Sequence, residues 1–251
     1  MKRMILIGCS IVLFAACKNE KKDSEETKLT ESEEMQQTEN MQDDEWQVLF
    51  SGNDLDSWQT YNRDSISSQW KIEDGVISFA PAEGDKRIKE YLMTKDKYES
   101  FELQIEWKIS EGGNSGILWA VQEMDKYDEP YYTGPEIQIL DNQKHPDAKN
   151  GLNRTAGALY DMVPPSEDVT KPAGEWNKEV IHIDHKNNKG WVKLNGVKVT
   201  EFPVHGEGWE NMVKDSKFSD WEDFGTNQKG YIALQDHDDK VWFRNIKIKE
   251  L

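Results

Sequence analysis

The nine residues Phe101-Glu102-Leu103-Gln104-Ile105-Glu106-Trp107-Lys108-Ile109 alternate apolar and polar without a break. Successive side chains of a strand point to opposite faces, so a run of this length demands a strand with one face on a core and the other in water. Val241-Trp242-Phe243-Arg244-Asn245-Ile246-Lys247-Ile248 nearly repeats the pattern. Further strand-like runs, separated by turn residues, are Trp46 to Phe50, Trp70 to Ile72, Val76 to Phe79, Gly116 to Val121, Glu136 to Leu140, Ala158 to Tyr160, Glu179 to His185, Lys189 to Leu194, Val197 to Phe202 and Tyr231 to Leu234. Asn195-Gly196 between two of them is a two-residue hairpin signal. No long stretch keeps a 3.6-residue apolar period, although Trp209 to Phe224 is expected as a short helix or irregular loop. Many short strands without an internal repeat predict an all-β fold, a β-sandwich or jelly roll.

Both cysteines of the chain, Cys9 and Cys17, precede this region, so no disulfide or thiolate metal site can support it. The core alone must hold the fold. Lys2 and Arg3, the apolar run Met4 to Ala16 and then polar residues read as a secretory signal over residues 1–16, too short to span a bilayer. Phe14-Ala15-Ala16-Cys17 resembles a bacterial lipobox, which would make Cys17 the lipidated first residue; ordinary cleavage at a small-residue site is the alternative. Residues 18–44 hold ten acidic side chains, four lysines and no aromatic residue, the composition of a disordered tether, and residues 45–251 form the domain. Most of the net charge of −17 stays on that domain and disfavours nucleic acid and anionic membrane surfaces as partners. Neutral sugars are compatible with it.

Glu136-Ile137-Gln138-Ile139-Leu140-Asp141 threads reactive side chains through strand formers. Glu136 and Gln138 should share one face; Asp141 has the wrong parity, and a bulge near Ile139-Leu140 would bring it beside them. Two carboxyls flanking a pocket suit sugar-bond chemistry, whereas the plain alternative is a half-exposed strand with solvated polar groups. Ten tryptophans exceed the needs of an ordinary core, and Trp119, Tyr131, Tyr132, Trp209 and Trp221 lie near polar, turn-rich segments where an aromatic face could stack on a sugar ring. Core roles are the alternative for each. The loop Gly112 to Gly116, with Asn114, lets backbone approach a ligand closely, or is a plain hairpin. His145 and Arg154 follow on a loop, structural or functional. In Gln235-Asp236-His237-Asp238-Asp239, the three aspartates make either a solvated acidic turn or a hard-cation site, and His237 is a plausible general acid. Nucleophile elbow, His-Glu-x-x-His, Walker and dinucleotide fingerprints are missing.

Leu49-Phe50-Ser51-Gly52-Asn53-Asp54-Leu55-Asp56-Ser57-Trp58, Gly113-Asn114-Ser115-Gly116-Ile117, Gly134 to Asp141, Gly157-Ala158-Leu159-Tyr160-Asp161, Gly174-Glu175-Trp176-Asn177 and Leu234 to His237 with Val241 to Ile246 together resemble the 3-keto-disaccharide hydrolase domain family, from about Trp46 to Leu251. The resemblance implies a concanavalin A-like jelly roll of two antiparallel sheets and, with the lipobox, a Bacteroidetes-type lipoprotein of the cell envelope, facing the periplasm or exposed on the outer membrane. Asp238 departs from the pattern, which commonly has Gly after Asp-His. The strand Glu136 to Asp141 also resembles the Glu-x-Asp-x-x-Glu strand of laminarinase-type glucanases, with Gln138 in place of the central Asp and Asp141 in place of the last Glu. The implied activity is cleavage of a 3-keto-glycoside or 3-keto-disaccharide by C2 proton abstraction, elimination and hydration, with a partner oxidoreductase supplying the oxidised sugar. Glu136, Gln138, Asp141 and His237 are the catalytic candidates: Glu136 as base, Gln138 with Arg154 on the ketone oxygen, Asp141 or His237 as acid. Asn114, Trp119, Tyr132, His145, Arg154 and Arg244 are the substrate-binding candidates. A divalent cation, Ca²⁺ or a catalytic metal, could replace the ketone donors, with Glu136, Asp141, His145 or His237 as ligands. A conventional β-glucanase and a non-catalytic carbohydrate-binding lipoprotein are the rival readings.

Overall fold

The computed structural model of the protein describes residues 45–81 and 89–251. The signal segment, Cys17 and the acidic tether lie outside the described residues. Thirteen strands follow one another: β1 (Gln47–Phe50), β2 (Trp58–Thr60), β3 (Trp70–Glu73), β4 (Val76–Phe79), β5 (Leu92–Thr94), β6 (Phe101–Ile109), β7 (Asn114–Val121), β8 (Glu136–Leu140), β9 (Asn177–Asp184), β10 (Lys189–Leu194), β11 (Val197–Phe202), β12 (Tyr231–Leu234) and β13 (Val241–Glu250). One α-helix among the described residues, α1 (Gly206–Lys214), precedes β12 and buries Trp209. The eight-stranded sheet runs β11-β10-β9-β6-β13-β4-β3 with β1 also on β13, and the five-stranded sheet runs β2-β5-β12-β7-β8. Every strand pair is antiparallel.

β6 behaves as its alternation requires: Phe101, Leu103, Ile105, Trp107 and Ile109 are buried, and the polar residues between them are partly exposed. These five join Ile117, Ile137, Ile139 and Ile232 of the other sheet in the main core, which makes the molecule a sandwich. Asn195 (φ 48°) and Gly196 (φ 90°) turn β10 into β11 as a two-residue hairpin whose central residues both need the left-handed region. Sequence patterning missed β2 and β5, three residues each and too short to show a period. It also expected a strand at Ala158 to Tyr160, where the structure has only isolated bridges of Leu159 to Ile137 and Val163. That segment lines the free edge of β8: Gln138 N donates to Ala158 O, and Gly157 N to Gln138 O.

An acid is buried between the sheets. Glu179 of β9 is fully buried and accepts a hydrogen bond on Oε2 from Trp107 Nε1 at 2.6 Å. Burial pushes its carboxyl up to about 8, so it is largely protonated near neutral pH.

β7 and β8 are buried on both faces. Their second face meets a smaller apolar cluster built from Tyr61, Tyr91, Met93, Leu118, Val121 and Ala233, with Tyr131 and Tyr231 packed against it. A roof of loops over the outer face of the five-stranded sheet is what buries that side. The site lies beneath this roof.

Candidate active site

Pairing of β7 with β8 sets the floor of a cavity of about 350 Å³. The register runs Asn114↔Leu140, Gly116↔Gln138, Leu118↔Glu136 without a shift, so Glu136, Gln138, Gly116 and Asn114 share the outer face. Ile137 and Ile139 fill the main core, as parity predicts. Gly116 is required by contact: a Cβ there would lie 2.6 Å from Glu136 Cδ and closer still to Oε1, so the carboxylate lies across a space that only glycine leaves. Gln235, just after β12, completes the floor, its backbone N donating to Gly116 O at 2.9 Å.

The walls come from loops distant in sequence. Tyr131 and Tyr132 stand in the short 3-10 turn Pro130–Tyr132 and pack on Trp221, with ring centroids 5.7 and 4.8 Å apart. Phe218 stacks on Phe224 at 3.9 Å. Tyr160, Lys217, Lys89 and His237 close the remaining sides. Lys217, exposed as a residue, reaches in with its ammonium 4.3 Å from the centre of the Tyr160 ring. Lys89 pairs with Glu129 at 3.0 Å.

Glu136 is the one acid among the described residues lining this cavity. Burial pushes its carboxyl up to about 8; the Lys217 charge pulls the other way, Asp147 adds to the rise and Lys89 opposes it. Burial in turn lowers Lys217, and the Glu136 carboxylate opposes that. Three amide oxygens on the cavity lining, Asn114 Oδ1, Gln138 Oε1 and Gln235 Oε1, are buried with no hydrogen-bond partner among the described residues. Buried acceptors left open in a polar cavity are receptors for the hydroxyl donors of a ligand.

Several expected residues are placed elsewhere. β8 carries no bulge, so Asp141 keeps its opposite parity; its oxygens accept from Gly112 N at 2.7 Å and Gln143 N at 3.1 Å, and it ties the hairpin loop instead of lining the cavity. Trp119 shares parity with Ile117 and faces the main core, stacked on Phe202 at 5.9 Å with Trp209 at 6.5 Å, so neither tryptophan meets a ligand in this cavity. Arg244 is on the outer face of the eight-stranded sheet, where Nε and Nη2 reach Glu106 Oε2 at 2.8 Å and its guanidinium covers Trp176. Arg154 also stays off the lining. Its Nη2 donates to Asp161 Oδ1 at 2.6 Å and its Nη1 to Tyr160 Oη at 3.1 Å, while Asp161 Oδ2 accepts from the backbone N of Lys217 at 2.7 Å. Arg154 therefore positions Tyr160 and Lys217. Gln138 donates its amide to Arg154 O at 3.3 Å, which leaves the oxygen, not the donor, for the cavity.

The acidic turn does not gather its three aspartates. Asp236 is buried and accepts from Glu90 N at 2.7 Å; burial raises its carboxyl to about 7. Asp238 adopts φ 63°, the left-handed conformation that glycine takes without cost, which is compatible with the Gly that the resemblance expects after Asp-His. Asn114, Tyr132 and His237 line the cavity as expected, with Tyr131 and Trp221. His145 lies beside His237, ring centroids 6.2 Å apart, and accepts from Asp147 N on Nδ1 at 3.1 Å. Sequence reasoning missed Lys217 and Lys89. The signal that could have found Lys217 was the run of aromatic residues around it, Phe218, Trp221 and Phe224, in a stretch without periodicity.

Comparison with known proteins agrees with this architecture. The 3-keto-disaccharide hydrolase of Bacteroides thetaiotaomicron is 36% identical, over 98% of this chain and 94% of that protein. A crystal structure of a protein from Parabacteroides distasonis, provisionally called a glycosyl hydrolase, superposes with a TM-score of 0.76 at 32% identity, covering 82% of this chain and 94% of that one. A second protein from that organism, provisionally given the same description, has a TM-score of 0.63 at 30% identity, covering 82% and 99%. Residues 45–249 match the family model described as the 3-keto-alpha-glucoside-1,2-lyase-like domain, and the chain belongs to that family.

Proposed function

We propose that this protein cleaves glycosides whose sugar carries a ketone at C3, and that Glu136 is the base that starts the reaction. The observation that carries this reading is the solitary acid. A conventional glycosidase flanks the scissile bond with two carboxyls, whereas Glu136 stands alone among the described cavity residues and Asp141 is engaged elsewhere. An elimination needs one base. A C3 ketone acidifies the C2 hydrogen; Glu136 takes that proton, the C–H electron pair moves into C2=C3 and the carbonyl pair onto the C3 oxygen as an enolate. Return of that pair re-forms the ketone and makes C1=C2 as the C1–O bond breaks with its electrons leaving on the aglycone oxygen. His237, on the cavity wall, protonates that oxygen. Water then adds across C1=C2, hydroxyl to C1 and hydrogen to C2, to give the free 3-keto sugar.

A carboxyl held near 8 is a far stronger base than an exposed one, once ionised. The enolate that forms at the C3 oxygen is stabilised by the ammonium of Lys217, the charge that acts most strongly on Glu136. The unpartnered oxygens of Asn114, Gln138 and Gln235 accept from sugar hydroxyls, and Tyr131, Tyr132 and Trp221 pack on the ring. If Cys17 is lipidated, the enzyme works on the cell envelope as a lipoprotein; its keto-sugar substrate calls for a partner oxidoreductase that makes it.

Turnover of a 3-keto-glucoside beside its unoxidised parent, with wild type and Glu136→Gln, tests the reading. Wild type is expected to release the aglycone from the keto sugar only, and the variant from neither. Equal cleavage of the parent returns the protein to the glucanases, silence on both makes it a sugar binder, and full activity of the variant moves the base elsewhere.

A further inference from the structure

We propose that His145, His237 and Asp239 bind a first-row divalent cation at the rim of the cavity. One ligand atom from each residue lies within 4.8 Å of the others. Metal bonds of about 2.0–2.2 Å hold donor atoms roughly 3.4–4.2 Å apart, so closure on an ion asks for less than about 1 Å of side-chain movement. The three residues come from two separate segments. His145 opens the 3-10 turn Pro146–Asn150, and His237 and Asp239 belong to the turn between β12 and β13.

Two of the three side chains are held by a backbone amide. Asn114 N donates to Asp239 Oδ2 at 3.0 Å, which fixes the carboxylate and leaves Oδ1 for an ion. Asp147 N donates to His145 Nδ1 at 3.1 Å and fixes that ring. An ion would take this Nδ1 lone pair in place of the amide, or Nε2 after the ring proton shifts; either exchanges one backbone contact for a metal–nitrogen bond. Asn114, buried and with Oδ1 unpartnered among the described residues, lines the cavity beside His237 and offers a further oxygen.

Two imidazoles and one carboxylate select Zn²⁺, Co²⁺ or Mn²⁺ over Ca²⁺ and Mg²⁺, which prefer all-oxygen shells. Three protein ligands leave coordination positions open, and His237 and Asn114 turn them toward the cavity. Glu136, the base, is not a ligand, but His237 is: an ion bound there would take the lone pair of the residue assigned above as proton donor, so uptake of the ion is read by binding and not by turnover.

The test strips the full chain with a chelator and titrates it with Zn²⁺ by calorimetry and with Co²⁺ by visible absorption. Wild type is expected to take up one ion per chain and to give the d–d bands of nitrogen-ligated Co²⁺. Asp239→Asn keeps an oxygen for Asn114 N, and this variant and His145→Ala should each weaken binding by at least about tenfold. The double variant should lose it, and His205→Ala, near the helix α1, should bind as wild type does. Lack of stoichiometric uptake by wild type overturns the proposal, as does uptake that survives in the double variant. Thermal melts of the metal-free variants distinguish a lost ligand from a lost fold.

Discussion

If Glu136 is both the base and a buried acid, replacing it should abolish activity and stabilise the protein. Burial raises its carboxyl from 4.5 to about 8. Within that window the folded chain retains a proton that the unfolded chain has released, so stability falls as pH rises. For a group moved this far, the loss near pH 7 is about 3 kcal/mol, a large share of the roughly 5–15 kcal/mol that holds a domain together. Glu136→Gln removes the ionisation while keeping the shape, and its new amide must find partners in the cavity, which reduces the gain. A rise in melting temperature of roughly 5–10 °C near neutral pH is expected, shrinking toward pH 5 as the carboxyl of the unfolded wild-type chain approaches its own pKa and is protonated as well. Activity on the keto sugar runs the other way, rising with pH through about 8 as Glu136 ionises. Glu179→Gln is the control: its carboxyl is raised to about 8 by the same cause, yet it lies between the sheets, away from the cavity. It should flatten the pH dependence of stability while leaving keto-sugar turnover intact. Thermal melts at half-unit pH steps, beside kcat/KM on the same preparations, decide the matter. A Glu136→Gln protein with the wild-type slope between pH 5 and 8 would refute the burial argument.

Lys217→Met should cut kcat/KM about 10²–10³-fold by removing the enolate's donor. Because the Lys217 charge lowers Glu136, the ascending limb of any residual pH–rate profile should also move upward, and a limb that stays put separates the two residues. Gly116→Ala places a methyl 2.6 Å from Glu136 Cδ, so the carboxylate must leave its position. Activity is expected to fall roughly 10²-fold with the circular dichroism spectrum preserved, and an active Ala variant shows that this carboxylate position is not the working one. Asp238→Gly relieves a left-handed residue and should add up to about 1 kcal/mol in urea unfolding, whereas destabilisation would mean that the Asp side chain holds the turn.

The parts of this molecule that were legible in sequence are those where one face meets water. β6 alternates because its outer face is solvated, and β10 to β11 announce their turn through Asn195-Gly196. β7 and β8 are covered on both sides, so alternation cannot say which face is the core. Ile117, Leu118 and Trp119 are all apolar, so the pattern leaves Trp119 open to a ligand face or the core, and its parity with Ile117 puts it inside. Asp141 shows the converse: strand parity alone turns it away, and the bulge needed to reverse that is missing from the pairing.

A strand buried on both faces has one further property that a sequence can reveal. Burying Glu136, Gln138 and Asn114 costs free energy, and a fold that only needed a second apolar layer would have replaced them. Their presence on two paired strands with no solvated face marks that face as the floor of a ligand cavity. The walls have no such signature, because they depend on contacts between segments far apart in the chain. Lys217 reaches Glu136's cavity from a loop about eighty residues downstream, and what holds it there is Asp161, itself held by Arg154. The motif Gly157 to Asp161 therefore works at one remove. Tyr160 forms wall, Asp161 (φ 60°) turns back to seat the lysine, and Arg154 neutralises Asp161 where an uncompensated carboxylate would draw the ammonium away from the base. By this logic the ion pair sets the position of the lysine, so Asp161→Asn should lower turnover and move the ascending limb of the pH–rate profile upward, in the direction expected for Lys217→Met but by less; a limb that stays put would show that the lysine keeps its place without the carboxylate.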